Sequence, residues 1–476
     1  MPSPTIKPTA SLPDPAVSSA ASNQNQLAMR QHQHQPSLAC TSILDNDLYK
    51  LTMQQAVRQH YPNTPCHYRF TNRSPELARL PFKALPWLKQ KIQDMAQLQL
   101  TNDERAFLEA KCPYLTKDYL DWLQNEFRFK PEEQIKIDWA SATNKMASGR
   151  SGPTADPTQS IPNDIDQEKT DENVAQITIT GEWDQVILYE VPILALVCEA
   201  YFRFGDQDWS YTGQFEAAKD KAERLVQAGA KFAEFGTRRR RDYETQRIVL
   251  EALTAGSPLP SEAAPGQGFL TGTSNMHFAH IMNLAPIGTM AHEWFMGTAA
   301  IIKDAGQANQ VALDRWAVTY PGQVLGIALT DTFTTEVFLK TFKGALAKDW
   351  AGVRHDSGDA FEFMDRIIRH YDQDPSVGPT LRRTKKVVFS DGLSTDLAIK
   401  LQQAAEEKGI QASFGIGTHF TNDYRHLDQS RSSAMNIVIK LHSCAGRECV
   451  KLSDDHGKES GSDEAVSEVR RQIAAL

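Results

Sequence analysis

Two neighbouring stretches of sequence indicate how this chain folds. They are Gly272-Thr-Ser-Asn-Met-His-Phe-Ala-His280 and Pro286-Ile-Gly-Thr-Met-Ala-His-Glu-Trp-Phe295. In each stretch, an apolar run ends in Gly-Thr and is followed by a predicted helix start. A strand that ends in glycine and a hydroxyl residue leaves free backbone N–H groups at the mouth of the next helix, which favours an anion site. His292 lies in the first turn of the second helix, a position suited to a base, a nucleophile or a phosphate partner. For a single histidine, a buried core residue is the competing interpretation.

The same alternation of strand and helix runs from about residue 215 to residue 415. Predicted strands are 230–235, 268–271, 285–288, 324–330, 351–354, 386–390 and 411–415. Predicted helices are 215–229, 243–254, 276–283, 291–303, 334–346, 359–371 and 394–408. Repeated β–α units predict a parallel sheet, and six or seven of them favour a closed or nearly closed α/β barrel. We therefore predict that residues 215–433 form the barrel catalytic domain.

The regions on either side of the barrel predict a second, smaller unit. Residues 41–214 are predicted as an N-terminal α/β domain, and a hairpin in 434–476 is predicted to return to it. Its predicted strands are 67–70, 127–129, 135–137, 177–179 and 186–188, and the predicted hairpin strands are 436–441 and 448–452. Its predicted helices are a first one after residue 47, then 83–98, 102–111, 116–127 and 190–201. The 1–40 tail and an insertion at about 141–175 lack aromatic residues and are predicted to be disordered.

Composition excludes some classes of function. The chain has 59 acidic and 51 basic side chains, a formal charge of -8, which argues against general nucleic-acid binding. Its six cysteines are scattered without a CxxC motif, as is typical of a reducing compartment. We identify no apolar run near the roughly 18 residues that span a bilayer, and no signal peptide. The sequence predicts a cytoplasmic protein, or a nuclear one, without a membrane partner.

Functional residues of a barrel lie at the carboxyl ends of its strands. Here those ends carry glycine with a hydroxyl residue, or a carboxylate beside arginine. The tracts are 235–238 (FGTR), 272–275 (GTSN), 288–292 (GTMAH), 330–332 (TDT), 354–359 (RHDSGD), 390–392 (SDG) and 414–418 (FGIGT). One such tract is usually just a turn, but seven at one predicted face indicate phosphate and sugar handling. A barrel hydrolase fits less well, because glycine–hydroxyl tracts outnumber paired acids.

Individual side chains add detail to that interpretation. Asp331, Asp356 and Asp359 supply oxygens suited to a ribose diol or to Mg²⁺. Arg238 is a candidate site cation for a carboxylate or phosphate, and Phe235 and Tyr49 are candidate faces for stacking a flat ring. The arginines that follow Arg238 in the 238–241 run are expected to be partly structural.

Six motifs, taken in order, resemble those of nicotinate phosphoribosyltransferases. They are 45–50 (DNDLYK), 235–239 (FGTRR), 272–275 (GTSN), 288–295 (GTMAHEWF), 354–359 (RHDSGD) and 414–418 (FGIGT). The resemblance covers roughly 42–140 and 176–455. It implies a type II phosphoribosyltransferase fold, an irregular parallel α/β barrel plus an N-terminal α/β domain completed by C-terminal strands. It also implies that nicotinate and phosphoribosyl pyrophosphate give nicotinate mononucleotide and pyrophosphate, with ATP hydrolysed through a phosphohistidine at His292 and with Mg²⁺ nearby.

The resemblance also implies roles for individual residues. His292, Asp356 and Arg354 are the implied catalytic residues. The implied substrate-binding residues are Tyr49, Phe235, Arg238, Thr273, Ser274, Asp331, Ser357, Gly358, Gly392, Gly415, Gly417 and Thr418. Metal ligands are left unassigned, and the chain is expected to act as a monomer or a homodimer.

Ser274 predicts the choice between acid and amide substrates. The related nicotinamide enzymes carry an aspartate at this position, which would accept from an amide and repel a carboxylate. A neutral serine beside Arg238 therefore favours nicotinate. The alternatives are a nicotinamide or quinolinate transferase, or a catalytically inactive relative that is kept as a ligand sensor.

Overall fold

The computed structural model describes residues 37–141, 173–322, 324–455 and 459–476. The predicted tail and insertion lie mostly outside these ranges. Ala39 and Cys40 are already buried, so packing begins before the predicted boundary at residue 41. Two sheets organise the described residues, one antiparallel and one parallel.

The antiparallel sheet combines both ends of the chain in the order β13-β12-β1-β3-β2. Its strands are β1 (Pro65–Asn72), β2 (Ile135–Ser141), β3 (Asn173–Glu182), β12 (Ile437–Cys444) and β13 (Arg447–Glu448). The accompanying helices are α1 (Leu48–His60), α2 (Leu85–Asp94), α3 (Asn102–Lys111), α4 (Lys117–Asn125), α5 (Pro131–Gln134), α6 (Trp183–Val186) and α7 (Glu190–Phe204). β12 pairs with β1 from Cys66–Cys444 to Asn72–Ile437, which confirms that C-terminal strands complete the N-terminal sheet.

The parallel sheet has the order β5-β4-β9-β8-β7-β6. Its strands are β4 (Lys231–Glu234), β5 (Phe269–Thr273), β6 (Ile327–Leu329), β7 (Gly352–His355), β8 (Lys386–Phe389) and β9 (Gln411–Ile416). Its first helices are α8 (Gln214–Gln227), α9 (Tyr243–Ala255), α10 (Met276–Ile281), α11 (His292–Ile302) and α12 (Ala305–Thr319). The later ones are α13 (Thr335–Thr341), α14 (Ala345–Asp349), α15 (Ala360–Gln373), α16 (Gly378–Arg382), α17 (Thr395–Lys408) and α18 (Thr418–Thr421). The short strands β10 (Tyr424–Arg425) and β11 (Arg431–Ser432) and the last helix α19 (Asp463–Ala474) follow.

The segment 285–289 lies between the two edge strands of the parallel sheet. The backbone N–H of Thr273 on β5 donates to Ala285, and that of Ile287 donates back to Thr273. Further along, the Thr289 hydroxyl donates to the carbonyl of Ile327 on β6, at 3.3 Å. The predicted strand 285–288 is therefore wrong in detail, since only Pro286 forms a bridge. Proline lacks the N–H that a continuous ladder requires, so this side of the barrel is irregular.

The glycine of the first Gly-Thr pair makes this close approach possible. A Cβ on Gly272, whose φ is +145°, would lie 1.9 Å from the carbonyl oxygen of Ala285. The helix that follows begins after Asn275, whose side-chain oxygen accepts from the N–H of Phe278 at 3.0 Å. The Gly-Thr tract therefore joins a strand to a capped helix, as predicted.

Other predictions need correction where short apolar runs carry no clear period. Residues 186–188 are helical rather than a strand, and residues 127–129 are not a strand. All three residues of 186–188 are buried, a pattern that fits a core helix as well as a core strand. Two long helices among the described residues were missed, α12 and α19, together with the short helices α5, α6, α16 and α18. The predicted helix 334–346 divides at Gly344, whose φ is +61°.

The stretch Trp183–Phe204 also departs from expectation. By length and composition it could cross a membrane, with a mean hydropathy of 1.5 in its most apolar part. In the structure 89% of that part is buried inside the protein, as in a core helix. Its apolar character is accounted for by this burial.

Candidate active site

A cavity of about 870 Å³ lies at the carboxyl ends of the parallel strands, and strand β12 of the antiparallel sheet lines its other side. Ten of the residues predicted from the sequence line it. They are Tyr49, Phe235, Arg238, Ser274, His292, Arg354, Asp356, Gly392, Gly417 and Thr418. The residues that the strand-end rule selected therefore lie largely around one cavity.

The other five predicted residues do not line the cavity but support its walls. Thr273 is buried and donates to Glu234, and a Cβ on Gly415 would meet the ring of Phe235 at 2.4 Å. Asp331, Ser357 and Gly358 lie behind the histidine. The Ser357 hydroxyl donates to Asp331 at 2.6 Å, and the N–H of Gly358 donates to Asp455 at 3.1 Å.

His292 is the first residue of α11 and lies among four hydroxyl or charged groups. Its Nδ1 lies 3.0 Å from the Thr332 hydroxyl. Its Nε2 lies 2.9 Å from Asp356, 3.0 Å from the Lys451 ammonium and 3.8 Å from Asp331. Burial and then the charge of Lys451 lower the pKa of His292 below its ordinary value, against the attraction of Asp331 and Asp356. The ring is therefore neutral at pH 7, as a nucleophile requires.

Asp356 is held ionised beside that ring. Burial alone would raise its pKa, but Arg354 and the hydrogen bond from His292 hold the pKa of Asp356 well below its usual range. Ser390 donates to the other carboxylate oxygen at 2.9 Å. Arg354 is itself positioned by a bond from its guanidinium to the carbonyl of Met290, at 2.9 Å.

The opposite end of the cavity is framed by aromatic residues and one partly exposed arginine. Tyr49 and Phe235 line it together with Arg238, whose side chain remains 47% exposed to solvent. The Tyr49 hydroxyl is buried and has no hydrogen-bond partner among the described residues. An aromatic pair with a partly exposed guanidinium and an unpartnered hydroxyl suits a flat ring that carries a carboxylate.

Ser274 has a hydrogen-bond partner, Asp47, at this end of the cavity. Its hydroxyl donates to Asp47 at 2.8 Å, so a buried carboxyl lies directly behind the predicted selectivity residue. Burial raises the pKa of Asp47, with Arg238 and the bond from Ser274 acting in the opposite direction. The sequence analysis placed Asp47 in the 45–50 motif and did not identify it as a cavity residue.

A buried ion triad connects the two ends of the cavity. Lys50 is fully buried, and its ammonium lies 2.5 Å from both Glu190 and Glu293. Glu190 also approaches Arg238 at 3.5 Å, while Glu293 follows His292 in the sequence. Burial opposes the charge on Lys50, but the two glutamates outweigh it and raise the pKa of Lys50. The sequence analysis did not predict this triad.

A cationic wall lines the cavity near its glycine loops. Its members are Arg73 on the loop after β1, Arg239, Arg431 and Lys440 on β12. Burial and the charge of Arg73 lower the pKa of Lys440 to about 8, and burial and Arg238 lower that of Arg239 to about 10. Cations that lower one another's pKa lie close enough to repel each other, and an anion bound between them relieves that repulsion.

Most of this wall was missed by sequence reasoning. Lys440 and Lys451 stand in alternating strand-like runs, where a lysine normally faces solvent. The arginine run was interpreted correctly for its later members, since Arg240 is buried in an ion pair with Asp45 at 2.7 Å. Arg241 is buried against the rings of Phe202 and Tyr424.

The chemistry of the acidic cluster fits a divalent cation. One oxygen of Asp331 is buried without a hydrogen-bond partner among the described residues. Side-chain atoms of His292, Asp331 and Asp356 lie within 4.8 Å of one another. Mg²⁺ prefers one or two carboxylates together with water and phosphate oxygens, which this arrangement offers.

Comparison with known proteins relates both parts of the chain to the same family. Residues 230–474 match the nicotinate phosphoribosyltransferase (NAPRTase) family, and residues 44–150 match the N-terminal domain of the same family. The chain is 43% identical over 441 residues to a probable nicotinate phosphoribosyltransferase of Schizosaccharomyces pombe, covering 91% of this chain and 98% of the relative. The Saccharomyces cerevisiae nicotinate phosphoribosyltransferase is 38% identical over 435 residues, covering 91% and 94%.

Solved structures agree with this result. A crystal structure of the Saccharomyces cerevisiae protein is similar with a TM-score of 0.82 at 36% identity, covering 94% of this chain and 100% of that one. A nicotinate phosphoribosyltransferase structure from Porphyromonas gingivalis is similar with a TM-score of 0.75 at 32% identity, covering 91% and 99%. The irregular barrel with its completed N-terminal domain is thereby confirmed.

Proposed function

This chain belongs to the nicotinate phosphoribosyltransferase family, and from that premise we propose how its cavity performs the reaction. The enzyme joins nicotinate to the ribose of phosphoribosyl pyrophosphate and releases pyrophosphate, forming nicotinate mononucleotide for NAD salvage. The single observation that supports the proposed roles is the continuity of one cavity from Arg238 to His292.

Nicotinate binds at the aromatic end. Its ring stacks between Tyr49 and Phe235, and Arg238 binds its carboxylate with two parallel hydrogen bonds. Ser274 is neutral at this position, and its hydroxyl donates a hydrogen bond to Asp47. Acid is preferred to amide because the partly exposed Arg238 matches a carboxylate and Ser274 adds no charge that would repel one.

Phosphoribosyl pyrophosphate binds along the cationic wall. Gly392, Gly417 and Thr418 face the 5′-phosphate, while Arg354 and Asp356 face the ribose and the pyrophosphate, with Asp331 buried behind them. The bond to the pyridine nitrogen forms as the bond to pyrophosphate breaks, and positive charge develops on the ribose. The ionised Asp356 stabilises that charge, and Arg354 stabilises the leaving group.

Asp331 and Asp356 are the residues that would hold Mg²⁺. The ion would neutralise charge on the pyrophosphate oxygens. The chain itself supplies orientation, through the bonds that Ser357 makes to Asp331 and Ser390 makes to Asp356.

ATP is the co-substrate, and His292 is the residue that it phosphorylates. The imidazole is neutral and buried, and its Nδ1 is fixed by Thr332, so Nε2 faces the cavity as the nucleophile. Both walls of the cavity come from one chain, so we propose that a monomer is competent and that a homodimer is not required. We place the enzyme in the cytoplasm.

The test is product formation by the purified chain with phosphoribosyl pyrophosphate and Mg²⁺, using nicotinate, nicotinamide or quinolinate in parallel. We expect mononucleotide from nicotinate, with the other two pyridines turned over at least about 100-fold more slowly. Nicotinamide lacks the carboxylate that Arg238 would bind, and quinolinate carries an additional carboxylate beside the ring nitrogen that must also be desolvated. Preferred turnover of nicotinamide or quinolinate, or none with any pyridine, would refute the assignment.

A further inference from the structure

Lys451 lies at the junction between the C-terminal hairpin and the phosphorylation site. Its side chain is only 11% exposed, and its ammonium lies 3.0 Å from Nε2 of His292 and 3.0 Å from Asp331. The two residues that it joins are 159 and 120 positions away in the sequence. The strand-like run 448–452 gave no sign of this placement.

The segment that carries Lys451 is fixed on both sides. The backbone N–H of Leu452 donates to the carbonyl of Thr332 at 2.8 Å, and Lys451 itself bridges to Ser460. Asp454 accepts from the backbone N–H of Thr335 at 2.8 Å. The ammonium is therefore placed by its backbone rather than by the flexibility of a surface lysine.

Nε2 of His292 faces two partners that require opposite states of the ring. When Nε2 carries a proton, it donates to the Asp356 carboxylate at 2.9 Å. When Nε2 carries only its lone pair, it accepts from the Lys451 ammonium, and Nδ1 donates to the Thr332 hydroxyl. Only the second state leaves a nucleophilic electron pair directed into the cavity.

We propose that Lys451 is a catalytic residue of the phosphoryl-transfer half-reaction, which keeps the lone pair of His292 Nε2 available and then binds the phosphoryl group. The proposal rests on the proposed function, namely that ATP phosphorylates His292. It assigns a lysine of the C-terminal hairpin to a step whose other residues lie on the barrel.

The step balances without a further reactant. The lone pair of Nε2 forms a bond to the γ-phosphorus of ATP, while the bond from that phosphorus to the β,γ-bridging oxygen breaks and its electron pair leaves with ADP. The ring keeps its Nδ1 proton and becomes a phosphoimidazolium beside Asp356 and Asp331. Lys451 exchanges its bond to Nε2 for one to a phosphoryl oxygen, where a positive charge is favoured.

The charges of the cluster agree with this exchange. Before transfer, Lys451 and Arg354 balance Asp331 and Asp356 around a neutral ring. After transfer, the ring gains one positive charge and the phosphoryl group brings about two negative charges. A nearby cation that can turn from the ring to the phosphoryl group then offsets most of the added charge.

The test separates the two half-reactions in the full chain. Lys451→Met, Lys451→Arg and the control Lys400→Met, an exposed lysine on α17, are compared with wild type. The first measurement is the rate of phosphohistidine formation from γ-labelled ATP. The second is nicotinate mononucleotide formation with phosphoribosyl pyrophosphate and Mg²⁺ in the absence of ATP.

We expect Lys451→Met to slow phosphohistidine formation about 100-fold, the usual effect of removing one preorganised donor. ATP-independent turnover should fall by a smaller factor, because the bond from Ser357 still holds Asp331, and urea denaturation checks that the variant is folded. Lys451→Arg should recover part of the rate, and Lys400→Met should match wild type. Equal losses in both half-reactions, or an unchanged rate of phosphorylation in Lys451→Met, would overturn the proposal alone. Absence of phosphohistidine from the wild type would instead refute the ATP step of the proposed function, and this proposal with it.

Discussion

The two ends of the cavity handle charge in different ways. At the aromatic end, Lys50 and Arg238 are matched in advance by Glu190 and Glu293, and Tyr49 contributes a free hydroxyl. At the phosphate end, a histidine lies between acids and a lysine, and the wall beyond it carries cations that lower one another's pKa. The first end is a preformed recognition site, while the second is arranged for charges that arrive with the substrates.

Removal of Lys50 should produce the largest effect, because it links the two ends. Lys50→Met leaves Glu293 without its counter-charge and leaves Glu190 with only Arg238, at 3.5 Å, and breaking a buried ion pair in this way costs about 3–5 kcal/mol. We expect the free energy of unfolding, measured by urea denaturation, to fall by about that amount. Adding Glu293→Gln to Lys50→Met should recover part of the loss. If Lys50→Met were as stable as wild type, the triad would not be a structural link.

The second largest effect is expected for Arg238→Met and concerns the binding of nicotinate alone. Arg238→Met removes the only cation expected to bind the nicotinate carboxylate, and charge-assisted hydrogen bonds contribute about 1.5–3 kcal/mol each. We expect kcat/KM for nicotinate to fall at least about 100-fold, while phosphohistidine formation persists. Arg247→Met, which removes a surface arginine paired with Glu244 and Glu251, is the matched control. A parallel loss of phosphorylation in Arg238→Met would mean that the two ends are not separable.

A smaller effect is expected from Ser274→Asp. A second carboxylate beside Asp47 and the bound nicotinate should lower kcat/KM for nicotinate about tenfold by like-charge repulsion, without a similar loss for nicotinamide. Ser274→Asn has nearly the same size without the charge and should retain nicotinate use. Unchanged nicotinate kinetics in Ser274→Asp would remove this residue from the account of selectivity.

The smallest effect is a dependence of stability on pH at the phosphate end. Burial and then Lys221 lower the pKa of His419 to about 4 in the folded protein, against about 6.5 when unfolded. The neutral folded form is therefore favoured above pH 6.5, and this stability is lost as the pH falls from 6.5 towards 4. We expect the free energy of unfolding to fall on the order of 1 kcal/mol between pH 7 and pH 5 because of this group. His419→Gln should show a shallower slope over that range, and an identical slope would contradict the assignment.

Sequence reasoning located the recognition end better than the phosphate end for a physical reason. Tyr49, Phe235, Arg238 and Ser274 each belong to a contiguous tract at a helix start or strand end, so local pattern places them. Lys440 and Lys451 reach the site through a hairpin that pairs with β1, a contact that follows from long-range strand register.

Some parts of the fold were likewise predictable from local sequence pattern, and others were not. The β–α alternation predicted the parallel sheet, because its strands are short apolar runs bounded by glycine and its helices are amphipathic. Pattern failed at 285–288, where a proline interrupts a strand, and at 186–188, where an unbroken apolar run carries no period. It also could not show that Thr273 and Gly415 support the cavity from behind rather than line it.

The central claim is that this one cavity couples ATP hydrolysis to nicotinate mononucleotide formation through His292. The most direct measurement is the rate of mononucleotide formation from nicotinate with and without ATP, in wild type and in His292→Ala. We predict that ATP accelerates the wild type, and that His292→Ala retains the ATP-independent rate but loses the acceleration. ATP stimulation that survives in His292→Ala would contradict the account.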